Sequence, residues 1–399
     1  MSDKDLRPVD AVGSGPVPSP TMTSLDHATP GRRPAPPAPP AATAPAAPLD
    51  AARDEEPLSL GARLRQPRTL ISIILPIILL ALVFRALPGF ELDQIPGILA
   101  SANMGLLLLA FVVFYIGFPL RGLRWAMLLR GTGLKIGVAD STEILFLSWL
   151  VNCLVPAKLG DVYRAFLLKI NTPESSLSRT FGTVFFERVL DLFAIVILGL
   201  AAGFWSFRGG LPPQVQVVFG IGVAVVVILA IGLLTLRNFG RRILVRLPLP
   251  HRILELYDKF EEGVFGAVRV KHLPRLVVVT ALIWATEGLR LFLVVHALVP
   301  DNHLGLSGAF FVALIGSLLT AVPLSPAGLG IVEAGLVGVL TLAYGIPATE
   351  AGAIALVDRA ISVLSIIVIG SIVYAVSSKR RGGGLRGETS ARVSQDPAV

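Results

Sequence analysis

The chain has 399 residues, of which 53% are hydrophobic and only 16% are charged, and its formal net charge is +8. This is more apolar surface than a soluble domain of this length usually buries, so the composition excludes a soluble fold and indicates a membrane protein. The lysines and arginines flank apolar stretches instead of forming one basic face, which argues against nucleic acid as a partner.

The first 60 residues, with "GRRPAPPAPPAATAPAAPLDAARDEEP", are rich in Pro and Ala and nearly free of large apolar side chains. Such a segment cannot offset its own ordering entropy, so we predict a disordered cytoplasmic tail. The first apolar stretch begins only at Thr69, behind this tail, and is therefore predicted to stay as an anchor and not to be cleaved as a signal peptide. Residues 65–378 are predicted to form one transmembrane domain, followed by a disordered basic cytoplasmic tail over 379–399.

Six apolar segments are long enough, or nearly so, for the roughly 20 residues that cross a hydrocarbon core. They cover residues 69–84, 96–120, 180–207, 211–236, 276–299 and 351–377. The fold class predicted from them is an all-α polytopic integral membrane protein with about six spans.

The chain also repeats a short motif at a constant offset. "PAKLGDVYRA" at Pro156 matches "PAGLGIVEAG" at Pro326, and "ER" at Glu187 meets "DR" at Asp358 at nearly the same offset. Short Pro/Gly/Ala strings also recur by chance in membrane helices, and we weigh that alternative as the weaker one. A third match, "GLR" at Gly122 and Gly288, has a different offset and is compatible with chance. The pattern predicts two repeats, over about 69–207 and 211–377.

Each motif lies in a segment too short to cross the membrane. Only fourteen residues without charge separate Glu143 from Lys158, which is the length expected of a re-entrant half-helix. If each broken hairpin returns to its own side, each repeat has three spans and the second is inverted relative to the first. The Lys- and Arg-rich loops then all fall on one side, which by the positive-inside rule makes both termini cytoplasmic, in the plasma membrane.

The breaks themselves predict a binding site. Backbone can leave the helical conformation at membrane depth only where it lines a cavity or is buried in protein. A half-helix that starts after each break would direct its first N–H groups toward the break, and Lys158 and Arg164 add positive charge beside the first one. We expect an anionic headgroup there, unless the carboxylates of Asp161 or Glu187 neutralise these cations.

Further intramembrane charges have two interpretations, an internal salt bridge between helices or a gate that contacts substrate. Arg188 can pair with Asp191, Glu287 with Arg290, and Glu333 can face Arg188 or Arg359. Arg121 and Arg124, at a predicted cytoplasmic helix end, are interpreted as snorkelling residues that mark the topology in preference to ligand contacts.

Cys153 is predicted to be inert packing. The five histidines lack metal-ligand spacing, so we predict neither a metal nor a cofactor.

Together, "RGLRWAMLL", "NCLVPAKLGDVYR", "FERVLDL", "PLSPAGLGIVEAG" and "DRAISV" resemble, in order, the lysylphosphatidylglycerol synthase transmembrane domain, or flippase-like, family, over about residues 65–380. The resemblance implies a membrane domain that moves an anionic lipid between leaflets. It marks as substrate-binding candidates Asn152, Pro156, Lys158, Gly160, Asp161, Arg164, Glu187, Arg188, Asp191, Gly328, Gly330, Glu333 and Arg359. The second break adds Pro326, and the other intramembrane charges, Arg121, Arg124, Glu287, Arg290 and Asp358, are secondary candidates. The soluble aminoacyl-transfer domain that the full synthase carries after its membrane part is not found here, so synthase activity is not carried over.

Two functional hypotheses follow. The first is a flippase or translocator for an anionic phospholipid or a polyprenyl-phosphate-linked lipid, and so not an enzyme. The alternative is a membrane-embedded or accessory component of a glycosyl or lipid transferase, which would act with a membrane or cytoplasmic transferase partner. Sequence motifs for a phosphate-binding glycine loop or a nucleophile elbow are not found, so a catalytic interpretation would rest on Glu187 and Asp191 alone.

Overall fold

The computed structural model describes residues 78, 85 and 89–385, apart from 156, 209, 211–212, 247–249, 268–271 and 321–324. The predicted tail over 1–60 and the end of the predicted tail over 386–399 lie outside the described residues. The first predicted span, 69–84, also lies outside them except for Ile78. Every regular element in the described part of the chain is a helix, which confirms the all-α class.

Thirteen α-helices are described, and short 3₁₀ or π segments join some of them. They are α1 (Ile95–Ala100), α2 (Met104–Gly131), α3 (Val138–Leu154), α4 (Leu159–Asn171), α5 (Leu177–Ser206), α6 (Pro213–Thr235), α7 (Arg241–Val245), α8 (His251–Gly266), α9 (Leu273–Leu298), α10 (Leu306–Leu319), α11 (Ile331–Tyr344), α12 (Ala348–Arg359) and α13 (Ser365–Val376). A π segment, Leu236–Gly240, connects α6 to α7, and another, Ala360–Leu364, makes α12 and α13 one continuous helix.

Five helical segments are long and apolar enough to cross a membrane. They are Met104–Gly131, Leu177–Ser206, Gly220–Val245, Leu273–Leu298 and Ala348–Val376, with 26 to 30 residues each. At 1.5 Å of rise per residue, a helix of this length exceeds the roughly 30 Å of a hydrocarbon core. They correspond to the second to sixth predicted spans. The chain is therefore a multi-span membrane protein.

Both boundaries of the second predicted span are wrong. It was expected over 96–120, but α2 begins at Met104 and continues through Arg121 and Arg124 to Gly131. Both arginines are buried, with exposed fractions of 5% and 1%. They pair with acids on other helices, so they do not terminate the apolar segment or snorkel to a membrane surface.

The two predicted hairpins are interrupted helix pairs. The helices α3 and α4 have 17 and 13 residues, and α10 and α11 have 14 each, so each is shorter than a full span. In the described part of the chain the non-glycine residues with positive φ are Ala157, Lys158 and Ala327. Left-handed backbone is unfavourable by about 1–2 kcal/mol per L-residue, so tertiary contacts must hold both breaks in place. Ala157 and Ala327 occupy equivalent positions in the sequence repeat and share this conformation.

The core forms where the two halves of the chain meet. Helix α2 packs most extensively against α9, and α3 lies between α2 and α4. The largest cluster of buried side chains joins residues of α2, such as Phe114 and Phe118, to residues of α9 and α10, such as Leu291 and Phe311.

The start of the predicted disordered C-terminal tail is folded. Lys379 is 2% exposed, and its ammonium lies 2.8 Å from the carboxylate of Asp140 on α3. The side chain of Asn171, at the end of α4, donates to the carbonyl of Lys379 at 2.7 Å. Leu385 is buried in a cluster that includes Trp125. Residues 377–385, which we call the C-terminal strap, are therefore held in place by one buried ion pair and one buried apolar side chain. The amino-acid composition of this segment did not predict that it is folded.

Candidate functional site

Both helix breaks border one cavity of about 190 Å³. Asn152, Cys153, Val155 and Lys158 line it from the first break, and the segment that contains Ser325, Ala327 and Gly328 lines it from the second. Its other charged lining residues come from the long helices, namely Arg121, Arg124, Glu187, Arg188, Asp191, Glu287, Arg290, Asp358 and Arg359. The structure therefore places both copies of the sequence motif next to the same cavity.

Arg124 is the centre of the first charge cluster. Its Nη1 lies 2.5 Å from Oδ1 of Asp191, and its Nη2 lies 3.0 Å from Oε1 of Glu187. These two acids are one helical turn apart on α5, so a single planar guanidinium can reach both carboxylates. The predicted pairing of Arg188 with Asp191 is only marginal, because their closest N–O distance is 4.0 Å.

Arg164 does not line the cavity. It is 1% exposed, its Nη1 lies 3.0 Å from Oε2 of Glu187, and its guanidinium stacks 4.9 Å from the Trp125 ring centroid. All these contacts are with protein groups, so Arg164 fastens α4 to α5 and α2. This placement favours the salt-bridge interpretation over ligand binding for this residue.

An arginine of the following long helix binds an acid on the first turn after each break. Arg188 on α5 donates to both carboxylate oxygens of Asp161 at 2.9 and 2.6 Å. In the second half, Nε of Arg359 donates to Glu333 at 2.9 Å, and its Nη2 donates to the carbonyl of Ala327 in the break. The predicted contact of Glu333 with Arg359 is confirmed. We call these two contacts the first and second latch.

A second chain of ion pairs crosses between the halves. Nη2 of Arg121 lies 2.5 Å from Glu287, Arg290 pairs with Glu287 at 2.9 Å, and Arg290 also pairs with Asp358. The predicted pairing of Glu287 with Arg290 is confirmed. The arginines of the two "GLR" strings, Arg124 and Arg290, pair with Asp191 on α5 and Asp358 on α12.

One amide at the start of each half-helix is bonded within the protein. Gly160 N–H donates to Oδ1 of Asn152 at 2.8 Å, and Gly330 N–H donates to Oε2 of Glu333 at 2.6 Å. These two N–H groups are therefore already satisfied by protein oxygens. Gly160 has a structural role, since a Cβ there would overlap the carbonyl of Ser148. Pro156 and the side chain of Pro326 lie outside the description.

The remaining charge lies on Lys158. Its side chain lines the cavity, and in the described part of the chain no ion pair or hydrogen bond of its ammonium is found. The lining residues and their ion-pair partners comprise seven cations and six carboxylates. The cations are Arg121, Arg124, Lys158, Arg164, Arg188, Arg290 and Arg359, and the carboxylates are Asp161, Glu187, Asp191, Glu287, Glu333 and Asp358. The network therefore carries one positive charge in excess.

Four buried N–H donors on the lining residues have no hydrogen-bond partner within the described residues. They are Nη1 of Arg121, Nε of Arg124, Nε of Arg290 and Nε1 of Trp284. A buried donor without a partner costs free energy, so the cavity favours a ligand that accepts hydrogen bonds. Together with the excess positive charge, the chemistry fits an anion.

Several lining residues were not predicted from the sequence. They include Trp149, Trp284, Ser317, Thr320, Ser325 and Ser362. Serine, threonine and tryptophan are common in membrane helices and carry no motif, so no signal in a single sequence separates these positions from ordinary helix residues. Cys153, predicted to be inert, is buried at the edge of the cavity.

The fold and the cavity define a polytopic helical membrane protein with a charged interior site. A family model described as the lysylphosphatidylglycerol synthase TM region matches residues 70–370, and the chain belongs to this family. The resemblance noted from the sequence motifs is thereby confirmed.

Two of the relatives that match are named as membrane proteins, and a third is named as a glycosyltransferase. A UPF0104 membrane protein of Methanocaldococcus jannaschii is 36% identical over 230 residues, which is 57% of this chain and 93% of the relative. A UPF0104 membrane protein of Methanothermobacter thermautotrophicus is 27% identical over 68% of this chain and 83% of its own length. The glycosyltransferase AglD of Haloferax volcanii is 27% identical over 74% of this chain, and the match spans only about half of AglD, 53%.

Proposed function

We propose that the protein is a translocator that moves an anionic phospholipid or a polyprenyl-phosphate-linked lipid between membrane leaflets. The observation that carries this proposal is the cavity at the two helix breaks, whose lining contains Lys158 and four N–H donors that have no ion-pair or hydrogen-bond partner within the described residues. A phosphate supplies both the negative charge and the acceptor oxygens that these groups lack. Interrupted helices from paired repeats are a common feature of transporter substrate sites.

The architecture that goes with this function has six spans and two re-entrant hairpins in two inverted repeats, over 69–207 and 211–377. Both termini face the cytoplasm, and the protein lies in the plasma membrane. The short paired helices, the shared backbone state of Ala157 and Ala327, and the two latches support this arrangement. The first hairpin would open to the cytoplasm and the second to the outside.

Transport would proceed by alternate opening of the two hairpins around the fixed cavity. Each latch joins a half-helix to a long helix through exchangeable hydrogen bonds, so a latch can open while the core ion pairs of Arg124 and Arg290 stay intact. An entering phosphate would compete with Asp161 for Arg188 at the first latch and with Glu333 for Arg359 at the second.

The test is lipid transfer in vesicles that contain the purified full-length protein. Fluorescent phosphatidylglycerol is placed in both leaflets, and the fraction that an external reductant quenches over time is measured. We expect faster transfer than in protein-free vesicles, and slower transfer for Lys158→Ala than for the matched control Arg242→Ala, an exposed cation away from the cavity. Transfer no faster than in protein-free vesicles, for both phosphatidylglycerol and a polyprenyl-phosphate lipid, would refute translocation.

The likeness to AglD supports a second candidate, a membrane component of a glycosyl or lipid transferase that holds the lipid headgroup while a partner carries out the chemistry. The same purified protein is incubated with a labelled polyprenyl-phosphate lipid and a nucleotide-sugar mixture, with and without membrane extract. Modification of the headgroup only when extract is present, with no transfer in vesicles, would favour this candidate.

A further inference from the structure

A second concave surface lies at the end of α2 and the start of α9. It is a groove of about 640 Å³, lined by the apolar side chains of Leu123, Met127, Pro274, Val278 and Val279. Val278 is 57% exposed, and its neighbour Val277 is 52% exposed, so this face of α9 is turned away from the protein core. In a multi-span membrane protein, such a face contacts lipid chains.

Basic side chains surround one end of the groove. Arg130 lies in the last turn of α2, Arg275 lies in the first turn of α9, and His272 comes just before α9. All three are exposed. Within the described residues no hydrogen bond or ion pair of their side chains is found. Two arginines at the polar end of an apolar groove match the two parts of a phospholipid, an anionic phosphate and an acyl chain.

This groove is separate from the central cavity. Leu123, Met127 and Arg130 follow the i, i+4, i+7 spacing of one face of α2, whereas Arg121 and Arg124 project from another face into the cavity. None of the residues that line the cavity also lines the groove. A lipid in the groove would therefore contact the protein without entering the proposed transport path.

We infer that the groove is a selective binding site for one anionic membrane phospholipid. Its phosphate lies between Arg130 and Arg275, and one acyl chain lies along Met127 and Val278. The lipid comes from the leaflet that faces these arginines, and a free phosphate ion would not fill the apolar part of the groove. The site is independent of transport, and it would stand even if the central cavity moved no lipid.

The experiment measures lipid selectivity at the groove itself. A fluorophore is attached to Val278→Cys in a Cys153→Ala background, and the protein is placed in vesicles that contain brominated phosphatidylglycerol or brominated phosphatidylcholine with identical chains. Each basic residue near an anionic surface contributes about a fivefold preference. We therefore expect quenching at this position to favour phosphatidylglycerol by about 25-fold in relative association constant.

Leu234→Cys on α6 is the matched control position. It is 59% exposed and lies three residues from Arg237, just as Val278 lies three residues from Arg275, but it does not line the groove. We expect a preference of no more than about fivefold there. Arg130→Gln with Arg275→Gln should abolish the selectivity at position 278, while Arg130→Lys with Arg275→Lys should retain most of it.

Two results would overturn the inference. One is an equal preference at positions 278 and 234, which would mean ordinary contact with bulk lipid. The other is selectivity at position 278 that survives the double glutamine change. If that double variant does not fold, Arg275→Gln alone decides the case, with an expected loss of about fivefold.

Discussion

Lys158 and Arg164 lie six residues apart, and the structure predicts opposite outcomes for their removal. Lys158 lines the cavity and has no ion pair in the described part of the chain, so Lys158→Ala should leave folding intact and weaken lipid retention. Arg164 is 1% exposed and bonded to Glu187, so Arg164→Ala should destabilise the fold.

The expected loss of stability in Arg164→Ala follows from the ion pair that this change removes. Breaking a buried pair from one side costs about 3–5 kcal/mol, because a buried charge loses its partner. In the Arg164→Ala variant Glu187 would still have Arg124 as a partner at 3.0 Å. We therefore expect a cost in stability near the lower end of this range, at about 3 kcal/mol. For a chain of this size that corresponds to a fall in melting temperature of roughly 4 °C. Lys158→Ala should change the melting temperature by less than about 2 °C.

The assay measures melting temperature and co-purified anionic lipid on the same detergent-solubilised samples. We expect Lys158→Ala to carry less lipid per folded molecule at a normal melting temperature, and Arg164→Ala to carry a normal amount per folded molecule at a lowered one. If Lys158→Ala proves as destabilised as Arg164→Ala and still carries the normal lipid complement, Lys158 is a structural residue and the headgroup site is refuted.

Three further predictions concern the first hairpin, the C-terminal strap and the topology. Gly160→Ala should destabilise the protein by about 1–3 kcal/mol, since its Cβ would overlap the Ser148 carbonyl; an unchanged melting temperature would contradict this contact. Lys379→Ala should cost about 3 kcal/mol because it removes the buried ion pair with Asp140, whereas the exposed Arg381→Ala should cost nothing measurable; equal melting temperatures would show that this ion pair does not stabilise the strap. In a Cys153→Ala background, an impermeant thiol reagent added outside cells should label Pro347→Cys and not Asn238→Cys; the reverse pattern would disprove the inverted arrangement.

Local sequence properties predicted a large part of the fold. Apolar length predicted the helices at 177–206, 273–298 and 348–376 within a few residues, because a membrane span has one dominant requirement, about 20 consecutive apolar residues. The span predicted at 211–236 lies nine residues later, at Gly220–Val245. The interruptions at 156–160 and 326–330 were readable for the same reason, since proline and glycine act on their own backbone. The repeat was visible because its two copies keep the same residue types at one offset.

The partners of the charged residues were decided only by the tertiary structure. Arg124 finds Asp191 and Arg121 finds Glu287, pairs that are separated by 67 and 166 residues and depend on how the helices rotate and pack. A single sequence shows that buried charges need partners but not which side chains meet. It therefore placed Arg121 and Arg124 at a membrane surface, when packing of α2 against α5 and α9 buries them. The same physical reason separates Lys158 from Arg164: both are cations near one helix break, and only the packing decides that Glu187 neutralises Arg164 and leaves the Lys158 ammonium to the cavity.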